Sequence, residues 1–147
     1  MQLLGKGNVL NPGKAQGALL VLEDALSFWG GFDPQTGRIL DDHHPQKGAS
    51  IRGRVLAMPH SKGSAGTPAG MAESIRKGVG PVAILLRKAD VNVTIGAMVA
   101  ARLYDLHIPV LQVPDPLFAQ LVTGQVIAID PSGHISALDG GTSVIGL

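Results

Sequence analysis

The residues best suited to chemistry lie in the segment 59–68, Pro-His-Ser-Lys-Gly-Ser-Ala-Gly-Thr-Pro. This segment follows an apolar run of strand length at 54–58 and precedes a helical pattern. Gly63 and Gly66 allow the backbone to approach a ligand closely, and a helix N-terminus attracts negative charge. Lys62 adds a full positive charge. The spacing therefore predicts a loop that binds a carboxylate or a phosphate.

An ordinary entry into a helix is the alternative interpretation of the same segment. Thr67 is predicted to cap the helix and Pro68 to occupy its first position, where a missing N–H costs nothing. That interpretation gives no role to Ser61, Lys62 or Ser64. The order Gly-Lys-Ser/Thr of a phosphate-binding P-loop is absent, so a nucleotide site of that kind is not predicted.

A second segment, 41–45, contains the adjacent pair His43 and His44. Neighbouring side chains on a regular strand point to opposite sides, so the pair cannot grip one metal ion from a strand. No third ligand is evident in the sequence. A hydrogen-bonded corner near the loop is the favoured interpretation, with metal binding and an exposed turn as the alternatives.

A third segment concentrates the aromatic residues Phe28, Trp29 and Phe32 within a long stretch of turn-forming sequence at 27–50. Loops of more than about 12–15 residues in compact domains are usually functional or disordered, and three aromatic rings argue against disorder. The rings indicate either a packed anchor for the loop or a surface that contacts a partner.

The remaining pattern predicts a small parallel βαβαβ unit with strands on both sides of it. The predicted strands and the hairpin are 7–11, 17–22, 54–58, 82–86, 108–111, and 125–129 paired with 135–138. The predicted helical pieces are one beginning at Thr67, one at 93–104 and a turn at 116–121. The predicted inward-facing residues are Met71, Ile75 and Val79 on the first helix, and Ile95, Val99 and Leu103 on the second.

Composition excludes several classes of protein. The 147 residues fit one domain, and the 12 Lys+Arg and 11 Asp+Glu are scattered, so a nucleic-acid interface is not predicted. Cysteine is absent, which excludes disulfides, a cysteine nucleophile and thiolate ligands for a metal. No apolar stretch is long enough for a membrane span, so we expect a cytoplasmic protein. The low charged fraction, 16%, suits a chain with a large subunit contact.

Four segments together resemble the swivelling small domain of the aconitase X family. They are 27–37 (SFWGGFDPQTG), 42–45 (DHHP), 48–56 (GASIRGRVL) and 62–64 (KGS). The resemblance covers the chain from about Gly5 to Leu138 and implies a single domain over residues 1–147. The implied fold is a swivelling β/β/α domain, α/β in class, like the mobile last domain of aconitase.

The resemblance also implies a function and a set of site residues. In this family the small domain works with a large domain or subunit that holds an iron–sulfur cluster, and the pair dehydrates a hydroxylated carboxylate. The family's catalytic base corresponds to Ser64. The neighbouring positions implied to bind substrate are Ser61, Lys62, Gly63, Ala65 and Thr67. This chain itself is expected to bind no metal.

Two branches of the family offer two substrates. Trp29 and the His-His-Pro run resemble the bacterial cis-3-hydroxy-L-proline dehydratases, which we take as the first hypothesis. Lys62 before Gly-Ser resembles the archaeal mevalonate 5-phosphate dehydratases, and 65–68 departs from the serine-rich pattern of the hydroxyproline branch. A module that binds an anion without catalysis is the alternative from another class.

Overall fold

A computed structural model describes residues 1–28, 30–60 and 66–138. The strands are Gln2–Lys6 (β1), Asn8–Asn11 (β2), Ala15–Val21 (β3), Val55–Met58 (β4), Ala83–Leu86 (β5), Val110–Gln112 (β6), Val126–Ile129 (β7) and His134–Ala137 (β8). The helices are Thr67–Lys77 (α1), Val91–Tyr104 (α2) and Asp115–Phe118 (α3). The predicted order strand–helix–strand–helix–strand in the middle of the chain is confirmed.

The strands form one mixed sheet in the order β1-β8-β7-β3-β4-β5-β6-β2. The neighbours β3, β4, β5 and β6 are parallel, and the other pairs are antiparallel. Only Gly7 separates β1, at one end of this order, from β2, at the other. Its N–H donates to the carbonyl of Gly133 at 2.9 Å, which extends the β1–β8 pairing by one residue. Because β1 pairs with β8 and β2 pairs with β6, the continuous β1–β2 segment joins the two ends of the strand order and closes the sheet. Closure leaves few unpaired strand edges.

Side chains alternate between two cores because successive residues of a strand point to opposite faces. On β4, Leu56 and Met58 face the helices, whereas Val55 and Ala57 face the interior of the closed sheet. The helices and the residues 26–51 cover the first core, and α3 borders the second. Two layers of sheet and one of helices confirm the predicted β/β/α arrangement.

Helix α1 differs from the prediction at its first turn. Thr67 was predicted as the N-cap, but Gly66 occupies that position and Thr67 is the first helical residue, fully buried. An N-cap residue has non-helical backbone geometry, whereas Thr67 already belongs to the helix, so its hydroxyl is not the capping acceptor. At the other end, Gly78 caps the helix in the left-handed region with φ 72°.

Helix α2 faces the opposite way from the prediction. Its buried residues are Val93, Gly96, Ala97 and Ala100. Of the three predicted inward residues, Ile95 and Leu103 are 41% and 65% exposed, and Val99 is half-buried. The reason is the close approach of α1: a Cβ built on Gly96 would lie 2.6 Å from the Cβ of Met71. Only small residues fit such a contact, so the larger apolar residues face outward. The predicted inward face of α1 is correct for Met71 and Ile75, which are buried. Val79 is buried as well but lies beyond the helix, which ends at Lys77.

The hairpin near the C-terminus is confirmed. Asp130 Oδ1 accepts hydrogen bonds from the backbone N–H groups of Ser132 and His134, each at 3.0 Å, and these bonds shape the turn between β7 and β8. The His134 backbone bond, with further help from its ring, holds the pKa of the Asp130 carboxyl below its usual value.

Candidate functional site

The predicted loop lies between the carboxyl end of β4 and the start of α1. Its described residues are Pro59, His60, Gly66, Thr67 and Pro68, and His60 is exposed. A glycine cap supplies no side-chain acceptor to the first turn of α1, which suits a helix N-terminus to an external anion. This position is at the carboxyl end of a parallel strand, the end at which both open and closed α/β sheets commonly bind ligands.

Five residues of the predicted site lie outside the described residues: Ser61, Lys62, Gly63, Ser64 and Ala65. Their roles stay predictions. Thr67 is the one predicted site residue that the structure describes. The whole of Thr67 is buried, so the structure gives no support to a direct contact between Thr67 and a substrate.

The residues that follow β5 are hydrogen-bonded to the residues that follow β4, immediately beside this loop. The backbone N–H of Arg87 donates to the carbonyl of Met58 at 3.4 Å, and that of Lys88 donates to the carbonyl of Pro59 at 3.1 Å. These bonds continue the β4–β5 register beyond the pair Met58 and Leu86. Two basic residues, neither of them predicted as site residues from the sequence, therefore lie next to the loop.

The two basic residues differ in their partners. Arg87 Nε lies 3.3 Å from a carboxylate oxygen of Asp115, and its guanidinium carbon is 5.7 Å from the centroid of the Phe118 ring. The Lys88 side chain is exposed and has no ion pair within the part of the chain that the structure describes. The nearby carboxylate of Asp90 accepts the N–H of Val93 at 2.9 Å and caps α2. Lys88 therefore places a positive charge at this edge of the sheet, and no acidic side chain among the described residues forms an ion pair with it.

The predicted corner at His44 is confirmed and lies at the exit of β3, the strand beside β4. His44 is buried, and its Nδ1 accepts the N–H of Gln46 at 3.0 Å, so Nε2 carries the hydrogen and donates to the carbonyl of Asp24 at 3.2 Å. The Gln46 side chain donates to the carbonyl of Val21 and accepts the N–H of Glu23. The corner therefore fixes the backbone that leaves β3, and His43 is exposed beside it.

Of the two interpretations of the aromatic segment, the packed anchor is correct for Phe28 and Phe32, the two rings that the structure describes. Phe28 and Phe32 are buried and meet edge to face, with ring centroids 5.6 Å apart. Trp29 lies outside the described residues. Both phenylalanines border a groove of about 660 Å³ between this segment and α1, with Leu40, Gly70 and Glu73 also in its lining.

The carboxylate of Glu73, which lines this groove, is hydrogen-bonded to the neighbouring Arg76. Arg76 Nε donates to Glu73 Oε2 at 3.0 Å, and this hydrogen bond lowers the pKa of the Glu73 carboxyl from its ordinary value. Glu73 is therefore an anion at neutral pH and an unsuitable proton donor.

Metal binding finds no support in the described ranges 1–28, 30–60 and 66–138. They contain no group of three histidine, aspartate or glutamate residues placed to hold an ion. The whole sequence lacks cysteine, so an iron–sulfur cluster does not fit the residues of this chain. In the same ranges, no helix combines the length and the apolar character that crossing a bilayer requires.

These features define a class: a small β/β/α domain with a candidate ligand-binding loop at the carboxyl ends of neighbouring parallel strands. Residues 4–137 match the family model described as the aconitase X swivel domain. The chain belongs to this family.

Two kinds of dehydratase are similar to this chain in sequence. A cis-3-hydroxy-L-proline dehydratase of Hypocrea jecorina is 32% identical over 95% of this chain, but the chain spans only 23% of that protein's length. A phosphomevalonate dehydratase small subunit of Thermococcus gammatolerans is 36% identical over 92% of this chain and 98% of its own length. The crystal structure of Thermococcus kodakaraensis aconitase X in its holo form covers 94% of this chain with a TM-score of 0.80 and 32% identity.

Proposed function

We propose that this chain is the small subunit of a heteromeric hydro-lyase that removes water from a hydroxylated carboxylate. The observation that carries the proposal is the match of nearly the whole chain to both kinds of dehydratase relative, together with a candidate loop at the carboxyl edge of the sheet. The first candidate substrate is cis-3-hydroxy-L-proline. The alternative is mevalonate 5-phosphate, which is favoured by the correspondence in length with the archaeal small subunit.

In this proposal Ser64 accepts the proton removed beside the carboxylate. A neutral serine hydroxyl is a poor base, so in this proposal Ser64 first loses its own proton to solvent. The resulting alkoxide, which then takes the substrate proton and becomes a hydroxyl again, needs stabilisation from nearby donors and cations. The first turn of α1 follows Ser64 by three residues and supplies the positive end of a helix. Lys62 and the backbone of residues 61–65 would hold the substrate anion.

The larger subunit is the partner in this proposal and would hold the iron–sulfur cluster, because this chain supplies no thiolate ligand. A cluster iron acts as a Lewis acid towards an oxygen ligand. The contribution of this chain is confined to binding the anion and accepting the proton.

Co-expression of the chain with a cysteine-bearing larger chain tests the proposal. We expect a stable complex that contains iron and dehydrates one of the two candidate substrates, measured by the formation of the unsaturated product. Each chain alone is the control and should be inactive. A protein that binds anions but neither forms such a complex nor gains activity would support the non-catalytic module instead.

Lys88 is proposed to assist the loop in holding the substrate anion. Replacement of Lys88 by glutamine in the complex should raise KM roughly 10- to 150-fold and change kcat little, because a hydrogen bond to a charged group contributes roughly 1.5–3 kcal/mol. Lys14→Gln is the matched control: Lys14 is an exposed lysine just before β3, at the opposite end of the parallel strands. Equal KM values for the two variants would remove Lys88 from the site.

A further inference from the structure

Helix α2 carries large apolar side chains on the face that it turns away from the protein. Its outward residues Val91, Ile95, Met98 and Leu103 are 72%, 41%, 53% and 65% exposed. The single charged residue of its 14 residues is Arg102. A helix that is apolar on all sides is normally buried on all sides, so the outward face of α2 is unsuited to permanent contact with water.

Helix α1 provides the comparison within the same layer. Its outward face carries Glu73, Arg76 and Lys77, which form i,i+3 and i,i+4 ion pairs. This is the usual composition of a helix face in water. The difference between two packed neighbours indicates that the apolar face of α2 is a specific feature and not a general property of this helical layer.

The surface around α2 is also grooved. On one side of the ridge formed by Ile95 and Met98 lies a shallow groove of about 780 Å³ with Arg102 and His107 in its lining. On the other side lies a smaller groove of about 260 Å³ whose lining includes Leu10. A ridge between two grooves can interlock with side chains of another protein, as the cores of stable interfaces do.

We propose that the outward face of α2 is the docking surface for the larger subunit, an inference that rests on the proposed function. The fungal relative supports this occupant, because the matched region is 23% of its length and the rest of that protein must lie against or near the domain. The position of α2 supports it as well: the helix begins at Val91, three residues after Lys88. A partner that closes over the candidate loop would extend onto this helix.

The chemistry of the partner surface follows from α2. It should present apolar side chains to Ile95 and Met98 and an acidic side chain to Arg102, which has no ion pair among the described residues. The apolar contacts should dominate the affinity, and the charge pair at the rim should set orientation and rate of association.

The test measures the affinity of the purified chain for the larger subunit. Met98→Glu and Ile95→Glu should each weaken the complex at least tenfold, since each places a charge in an apolar contact. Val122→Glu is the matched control, because Val122 is a 62% exposed valine that belongs to no helix or strand. Circular dichroism of each variant checks folding, and Arg102→Glu serves as a second probe whose side chain remains at the surface.

The outcomes separate this inference from the proposed function. A complex that forms and needs Met98, but dehydrates neither candidate substrate, upholds the docking surface and refutes the activity. An active complex whose affinity is unchanged by Met98→Glu, Ile95→Glu and Arg102→Glu refutes the docking surface and upholds the activity. A wild-type chain that forms a dimer of itself, which Met98→Glu converts to a monomer, would assign the surface to a second copy and overturn the proposal.

Discussion

Replacement of Ser64 by alanine is expected to lower kcat by about 10²–10⁴-fold, the range that a positioned acid or base contributes to an enzyme reaction. The substitution removes one hydroxyl and adds no bulk, so assembly with the larger subunit should be unchanged. Steady-state kinetics of the reconstituted complex measures the loss, and size-exclusion chromatography measures assembly.

Ser132→Ala is the matched control for this experiment. Ser132 lies in the exposed turn between β7 and β8, and its hydrogen bond to Asp130 comes from the backbone N–H, which alanine retains. The control should therefore keep wild-type turnover. Retention of activity in the Ser64 variant would show that the proton acceptor lies elsewhere, in the larger subunit or at another residue of this chain.

The pH profile provides a second readout for Ser64. A proton acceptor that works as an alkoxide gives a kcat that rises with pH until the hydroxyl is deprotonated in the complex. Loss of that rising limb in the low residual activity of Ser64→Ala would distinguish a lost base from a merely displaced substrate. An unchanged profile would point to another titrating group.

The sequence predicted the parallel unit well because its strands are short apolar runs bounded by glycine and proline, and those signals are local. It did not predict β1, whose pairing with β8 is interrupted by an irregularity between Leu3 and Gly5. A strand with such a break lacks the regular alternation that identifies an edge strand. The closure of the sheet through Gly7 was missed for the same reason.

The face of α2 could not be read from periodicity because the helix is apolar on every side. The distance between α1 and α2 decides which apolar residues turn inward, and that distance depends on Gly96 and Met71, which are 25 positions apart in the chain. The sequence did contain a usable signal: small residues at 96, 97 and 100 mark a face built for close approach.

The candidate site, like the fold, was predictable where the signals are local in sequence and unpredictable where distant residues meet. The loop was evident from its glycines, its lysine and its place between a strand and a helix. Lys88 could have been found by the same rule, because it follows a buried parallel strand as the loop does. The acceptors of the corner could not, since Asp24, which pairs with His44, and Val21, which pairs with Gln46, lie 20 or more residues earlier in the chain than their partners. Only folding brings them together.

A second large effect is expected where the long segment 27–50 meets the end of α1. Gly37 adopts φ +77°, and a Cβ at this position would lie 2.4 Å from the carbonyl oxygen of Val79. Alanine at this position is therefore destabilising for two reasons. It must adopt a left-handed backbone conformation, and its Cβ clashes with the Val79 carbonyl oxygen, a backbone atom that cannot rotate away. The two penalties together should lower the free energy of unfolding by roughly 2–5 kcal/mol.

Gly48→Ala separates these two penalties. Gly48 lies in the same segment with φ +90°, but a Cβ there would have nothing within 4 Å. It should cost only the backbone term, about 1–2 kcal/mol. Urea unfolding of both variants gives the difference, and equal losses would mean that Gly37 does not approach Val79 so closely.

The consequence for the site follows from the bonds that Gly37 makes. Its N–H donates to the carbonyl of Asp33 at 2.7 Å, and its carbonyl accepts the N–H of Ile51 at 2.8 Å, so it joins the aromatic half of the segment to the residues that lead into β4. Displacement of this point should move Phe32 relative to α1 and change the groove between them. Gly37→Ala should therefore lower activity in the complex even at temperatures where the variant remains folded, whereas Gly48→Ala should not.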